Sequence, residues 1–343
     1  VSTISFICGY GITGIIFAIL NFGIWALIFA HAIQVVTKTI MFVYLEMPNF
    51  KFDFSVKELK DLIYFGGGFT IARIANYFAI EGDNMVVSGY LGAEALGIYG
   101  RAYQFLIMPV TLFGTALDTV LFPMISKIQE DIIKIKEIFN KSIYGFSIIS
   151  FPLSVFVIIL APEIINVFLG KNWWRVILPF QILSIGLYFR MSYRICDTIS
   201  RAIGTVYKRA IIQILYAISI IFGSIYGARW GITGVAIAVV LSIFINFMLM
   251  VNLIIRELKG SWKTVIFSHT HGIIISIIYL PLFFYLTNLL RNFELNSLII
   301  IMAMIFYSIS FFLTIYFLLP KWILGTDIDW FIIRIKNKYL KII

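Results

Sequence analysis

Ten apolar runs follow one another along nearly the whole chain, each close to the roughly 20 residues that an α-helix needs to cross hydrocarbon. They lie near residues 3–20, 24–45, 62–89, 96–121, 142–161, 177–198, 209–227, 232–255, 269–289 and 297–319. A soluble domain has no core large enough to take ten such segments, so the runs predict an all-α integral membrane protein. Composition agrees, because 61% of the 343 residues are hydrophobic, 13% are charged and the mean hydropathy is +0.98. The same figures exclude a disordered or collagen-like chain. Cys8 and Cys196 sit in or beside apolar runs and make neither a disulfide framework nor a metal pair.

The connections alternate between short, nearly uncharged turns and longer basic ones. Residues 46–61 carry Lys51, Lys57 and Lys60, and residues 122–141 carry Lys127, Lys134, Lys136 and Lys141. The connections at 199–210 and 256–268 and the tail continue the pattern, which places eighteen cations on one side. Only Lys171, Arg175, Arg229 and Arg291 fall on the other. Basic loops stay in the cytoplasm, so the rule predicts a multi-pass protein of the cytoplasmic membrane with both termini inside. The net charge of +10 is then a property of the membrane face, where anionic lipid is the nearer partner and nucleic acid is not expected. The chain enters its first apolar helix at once, with no signal-peptide n-region, and is expected to lack its natural N-terminus. Residues 320–343 are too charged to span, and their Trp322, Trp330, Phe331 and Tyr339 predict an interfacial helix.

Two turns resemble each other. Phe22-Gly23-Ile24-Trp25-Ala26-Leu27 and Trp230-Gly231-Ile232-Thr233-Gly234-Val235 are 208 residues apart, about six helices with their loops. Parallel six-helix repeats are a transporter design. The expected architecture is therefore the remnant of a two-lobed, six-plus-six helix transporter with extra C-terminal helices. Residues 1–45 hold the last two helices of an incomplete N-terminal lobe, 46–61 a cytoplasmic loop, 62–255 a six-helix lobe, 256–319 two additional helices and 320–343 the tail.

Five cations lie inside spans: Lys38, Arg73, Arg101, Arg190 and Arg194. A charge at the bilayer centre costs about 2.5–3.5 kcal/mol on insertion scales, so each needs a wet cavity or a partner. Arg101 and Arg194 lie near helix ends, where they can reach the interface instead. Helical spacing puts Arg73, Asn76, Tyr77 and Asn84 on one face, flanked by Glu81 and Asp83. Arg101, Gln104, Thr111, Thr115 and Asp118 line a second helix, which Pro109 is expected to kink. Arg190, Arg194, Asp197 and Arg201 line a third, and His31, Gln34 and Lys38 a fourth. Together these stripes predict a cationic cleft for an anionic group. Arginine's planar fork suits phosphate oxygens, and a pyrophosphate fits. The candidate substrate-binding residues are Lys38, Arg73, Asn76, Tyr77, Arg190 and Arg194. Glu81 and Asp83 are candidate coupling carboxylates. The structural alternative pairs Arg73 with Asp83 or Glu81, and Arg194 with Asp197. Tyr77, Tyr103, Tyr188 and Tyr193 suit an interfacial belt better than sugar stacking.

The third span and its sequel resemble a known family. Phe65-Gly66, Asp83, Val86-Val87-Ser88-Gly89, Leu91-Gly92, Leu96-Gly97-Ile98-Tyr99, Pro109 and Phe122-Pro123, with Gly170 and Trp173 beyond, are similar to the Wzx-type polysaccharide flippases. These belong to the multidrug/oligosaccharidyl-lipid/polysaccharide transporter superfamily. The resemblance implies a flippase that moves oligosaccharide repeat units linked to undecaprenyl pyrophosphate, for O-antigen, capsule or exopolysaccharide. It also implies a polysaccharide polymerase complex as a partner. Family members usually have twelve to fourteen helices, so about four N-terminal helices are expected to be missing here.

No Walker-type loop, Gly-x-Ser-x-Gly elbow or cysteine cluster occurs, so no cofactor, metal or catalytic group is expected. His269 and His271 are two apart and face different ways, a poor metal pair. Gly66-Gly67-Gly68 suits close packing or a hinge better than a phosphate cradle. Two readings compete: a cation-coupled multidrug exporter of the same superfamily, and a membrane-embedded glycosyltransferase or acyltransferase using Asp327 and Asp329.

Overall fold

The computed structural model describes residues 2–45 and 55–318, which divide into two compact units, 1–60 and 61–343. Residues 46–54, with Lys51, and 319–343, with Asp327, Asp329 and the expected interfacial helix, lie outside the described residues.

In the smaller unit, α1 (Ser2–Ile19) and α2 (Ile24–Leu45) form a hairpin. Gly23, and Asn21 before it, turn the chain with positive φ of 54° and 59°. Across the hairpin, a Cβ on Gly9 would stand 2.7 Å from the Gln34 Cα, so only glycine permits that approach. Around Gly9, residues Ser5–Ile12 take the wider π-helical winding.

The larger unit opens within one helical stretch, Val56–Ser126. Its apolar part, 61 residues, would be about 90 Å long if straight, three times the hydrocarbon thickness. Gly92 (φ 86°, ψ 177°) breaks it into α3 (56–91) and α4 (93–126). The arms fold back on each other, because the Tyr99 hydroxyl donates to Asp83 Oδ2 at 2.6 Å across that break. The helix continues through Pro109, where the sequence predicts a kink; Gly92 alone departs from helical backbone angles in this stretch.

Helix α5 (Ile132–Ile159) begins at Asp131, whose side chain accepts from the Lys134 amide, a regular N-cap. Asp131 also pairs with the Lys134 ammonium at 2.8 Å, and these contacts hold its carboxyl below the usual range. After α6 (Ala161–Phe168) and a 3-10 turn (Lys171–Val176), α7 (Ile177–Ile185) and α8 (Leu187–Ala202) meet at a 45° bend at Gly186 and only together are long and apolar enough to cross a membrane. Helices α9 (Val206–Gly227) and α10 (Gly231–Glu257) form a hairpin so close that a Cβ on Gly234 would collide with the Gly227 carbonyl. Helix α11 (Trp262–Asn292) lies along α5 with Gly272 against the Ser147 carbonyl, and α12 (Ser297–Leu318) completes the unit.

Among the described residues, seven helical runs are long and apolar enough to cross a membrane, or eight with the bent pair; two of the seven, Gly66–Ser126 and Val206–Glu257, each hold two helices. All ten apolar runs are therefore helical. Two expected connections are corrected. Helix occupies most of 122–141, and α6 with the 3-10 turn fills the loop after α5, because Asp131 caps one and Pro162 starts the other.

Polar contacts gather at two rims. Lys208 pairs with Glu257 at 2.7 Å and the Lys136 ammonium donates to the Lys259 carbonyl at 3.0 Å, on the basic rim. On the opposite rim Arg291 clasps both oxygens of Glu163 at 2.7 and 2.8 Å, and Asn166 bonds Ser297 at 2.7 Å. Between the rims lies an apolar core that includes Leu106, Ile125, Leu183 and Val235. A second cluster, Leu160, Tyr279, Phe283, Ile300 and Met304, fixes α11 and α12.

Candidate functional site

The larger unit carries a polar seam through its apolar core. Helix α8 presents Arg190, Tyr193, Asp197 and Arg201 along one face, and α9 presents Arg209, Gln213 and Tyr216 at offsets 0, 4 and 7. At its deep end Asp83 is fully buried. One of its oxygens takes the Tyr99 hydroxyl and the other its neighbour Asn84's amide at 2.8 Å. Tyr103 stacks on Tyr99, 6.2 Å between centroids, and accepts a hydrogen bond from Arg190 Nη2. The Arg190 guanidinium also lies 4.8 Å over the Tyr103 ring, a cation–π contact. Arg190 is only 5% exposed, and its Nη1 has no partner among the described residues.

Towards the basic rim the seam becomes ionic. Asp197 is bound by Arg209 at 2.5 Å and Arg201 at 3.2 Å, and Arg201 reaches on to Asp118 of α4. Thr198 donates to the same Asp118 oxygen at 3.3 Å. Charges cancel locally, which is how a buried network stays affordable.

The structure separates the candidate residues into two sets. Asp83 and Arg190 are interior. Arg73 and Tyr77 are exposed, Arg194 is half-buried beside Gly114, and Lys38, in the smaller unit, is exposed. Asn76 accepts from Tyr193 at 3.4 Å, and Glu81 accepts from the Asn84 side-chain Nδ2 at 3.2 Å. The alternative ion pairs fail: Asp83 and Glu81 are engaged by Tyr99 and Asn84, while Asp197 is engaged by Arg201 and Arg209. Arg73, Arg194 and Lys38 thus make no ion pair or hydrogen bond among the described residues. Arg101 donates to Gln104 at 2.8 Å. Tyr103, Tyr188 and Tyr193 are all buried, which does not fit a lipid-facing belt, while Tyr77 is exposed.

Sequence reasoning missed Arg209, counted as a loop cation, and with it Gln213 and Tyr216. The signal was present as a polar stripe on an otherwise apolar helix. Near the start of α11 the two histidines diverge as expected: His269 sits among Phe151, Tyr188 and Phe247, and His271 against Tyr144.

Comparison with known proteins follows the same lines. The chain is 29% identical over 138 residues to the teichuronic acid biosynthesis protein TuaB of Bacillus subtilis, covering 40% of this chain and 28% of that protein. It is 26% identical over 160 residues to the lipopolysaccharide biosynthesis protein WzxC of Escherichia coli, covering 46% and 32%. To the succinoglycan biosynthesis transport protein ExoT of Rhizobium meliloti it is 24% identical over 162 residues, covering 47% and 33%. The chain thus spans about a third of the length of these relatives. Among solved structures it shares the fold of the lipid II flippase MurJ in an inward closed conformation, with a TM-score of 0.64 and 21% identity over 90% of this chain and 66% of that one. Residues 1–178, just over half of the chain, match the family described as polysaccharide biosynthesis protein, and the chain belongs to that family.

Proposed function

We propose that this protein moves oligosaccharide repeat units, linked to undecaprenyl pyrophosphate, across the cytoplasmic membrane for surface polysaccharide synthesis, without transforming them chemically. The single observation that carries this reading is the set of span cations with no carboxylate partner. Arg73, Arg190 and Arg194 of the larger unit lie within candidate spans without an ion pair among the described residues, while Arg201, Arg209 and Arg291 are all paired. An unpaired cation in a span carries a standing cost, which an anionic substrate removes. The diphosphate is the fixed part of such a substrate, and guanidinium forks suit its oxygens. Lys38 is assigned the same role from its sequence position, and Asn76 and Tyr77 flank Arg73 on the same helix. The names of the relatives, all of surface-polymer biosynthesis, support the substrate class. In this reading the basic rim and both termini face the cytoplasm, where the positive-inside rule puts them. A polymerase that receives the flipped units is the expected partner.

Asp83, with Glu81 two residues before it, is assigned to coupling. A buried carboxylate held by a neutral hydroxyl, with no ion pair among the described residues, is suited to gain and lose a proton or cation.

Arg73→Ala and Arg194→Ala test the substrate site with little risk to the fold, since neither side chain bonds to the rest of the described protein. Both are expected to lower repeat-unit export, scored as surface polymer, at unchanged membrane protein level. Undiminished export in the double variant would overturn the cationic site.

A further inference from the structure

Four polar side-chain atoms along the seam are buried and have no hydrogen-bond partner among the described residues: Arg190 Nη1, Gln213 Nε2 and Oε1, and Arg209 Nη1. Their side chains are nine-tenths or more buried, and Gln213 is wholly so. Native interiors satisfy such atoms with internal water, which needs two to four polar partners. The seam supplies them in sequence. Arg209 and Gln213 are one helical turn apart on α9, Tyr216 follows on the same face, and Tyr216 lies within electrostatic reach of both Arg190 and Asp83. Exposure is graded along it. Asp197 and Arg209 are buried, the Arg201 side chain is 18% exposed and that of Asp118 44%, so the seam reaches the surface at the basic rim.

We propose that the α8–α9 seam is a file of internal water that carries protons between the basic rim and Asp83, with Gln213 as the residue that positions it. The inference rests on the coupling role assigned above to Asp83 and adds a route and a direction: the proton arrives through this unit, from the rim at Asp118 and Arg201. The step is a simple balance. One proton enters the file from bulk water, one leaves its inner end, and the Asp83 carboxylate becomes a carboxylic acid; release reverses this. The groups facing Asp83 are Glu81 on its own helix, Tyr99 and Tyr103 on α4, Arg190 on α8 and Tyr216 on α9. A carboxamide suits the middle of such a file, because it both donates and accepts and holds no proton of its own to trap.

Two measurements on the full-length protein in lipid nanodiscs test this. In radiolytic hydroxyl footprinting, which marks side chains beside water, Tyr193 and Tyr216 are expected to be modified. Tyr279, also buried but bonded to Ser308 in the α11–α12 cluster, at 1% exposure against 4% for Tyr216 and 6% for Tyr193, is not. Gln213→Leu should bring Tyr193 and Tyr216 down to the level of Tyr279. In infrared difference spectra after an acid jump, a protonated-carboxyl band that Asp83→Asn removes should rise. Its rise should be slowed in Gln213→Leu and restored in Gln213→Asn, which separates loss of the route from loss of the fold. Labelling of Tyr193 and Tyr216 no stronger than that of Tyr279 in the native protein overturns the route, as does an unchanged rate in Gln213→Leu; either leaves the role of Asp83 standing. If the native protein shows no band that Asp83→Asn removes, the coupling role falls and the proposal falls with it.

Discussion

Asp83 shows why side-chain spacing alone does not assign partners. Arg73 and Asp83 lie on one helix, ten residues or about 15 Å of rise apart, too far along it to pair with each other. The chain instead reverses at Gly92 and brings Tyr99 to the carboxylate, so a neutral donor takes the place that a cation would have taken. The Tyr99→Phe variant leaves Asp83 Oδ2 buried without its donor. It is expected to destabilise the protein by about 1–3 kcal/mol, the usual cost of a buried acceptor that loses its partner. Denaturation in mixed micelles measures it, and an unchanged midpoint would contradict the bond. At this scale the candidate cations were legible, because a charge in an apolar run stands out from its neighbours. Their partners were not, since Arg209–Asp197 and Arg201–Asp118 depend on which helices meet.

Helices were the most legible level. Each of the ten apolar runs is helical, and Gly23 and Gly231, picked out by the two similar turns, both take positive φ. What the pattern hid was where helices continue past the apolar stretch, since a capped, amphipathic start such as Ile132–Lys141 carries no run of apolar residues. Packing between elements is set by close approaches that hydropathy does not register. Gly272→Ala pushes a methyl into the Ser147 carbonyl of α5 and is expected to cost about 1–3 kcal/mol, as overpacking does. Gly145→Ala, with open space around its Cβ, should leave stability unchanged or raise it by about 0.5–1 kcal/mol through helix propensity. Thermal unfolding in detergent compares the pair, and equal effects would contradict the α5–α11 contact. On the opposite rim, Glu163→Gln unclasps Arg291 and should lower stability by about 2 kcal/mol, less than a fully buried pair because Arg291 is a third exposed. The same unfolding assay reports it.

Across the whole molecule, two properties can be read from the order of the residues: the chain spans a membrane, and its loop cations are expected on one side of it. Neither property names a cargo. The step from membrane protein to exporter of lipid-linked sugar rests on the family match over residues 1–178 and on Arg73 and Arg194, span cations of the larger unit that make no ion pair among the described residues. If those cations hold a pyrophosphate, removal of the protein must stop the linked units on the side where they are made. The most direct measurement is the leaflet distribution of lipid-linked repeat units in cells deleted for the gene and complemented with it. Loss of surface polymer with linked units accumulating on the cytoplasmic leaflet, reversed on complementation but not by the Arg73→Ala, Arg194→Ala double variant, is the predicted result. Failure of the linked units to form at all would place the protein in an earlier, synthetic step and contradict the account.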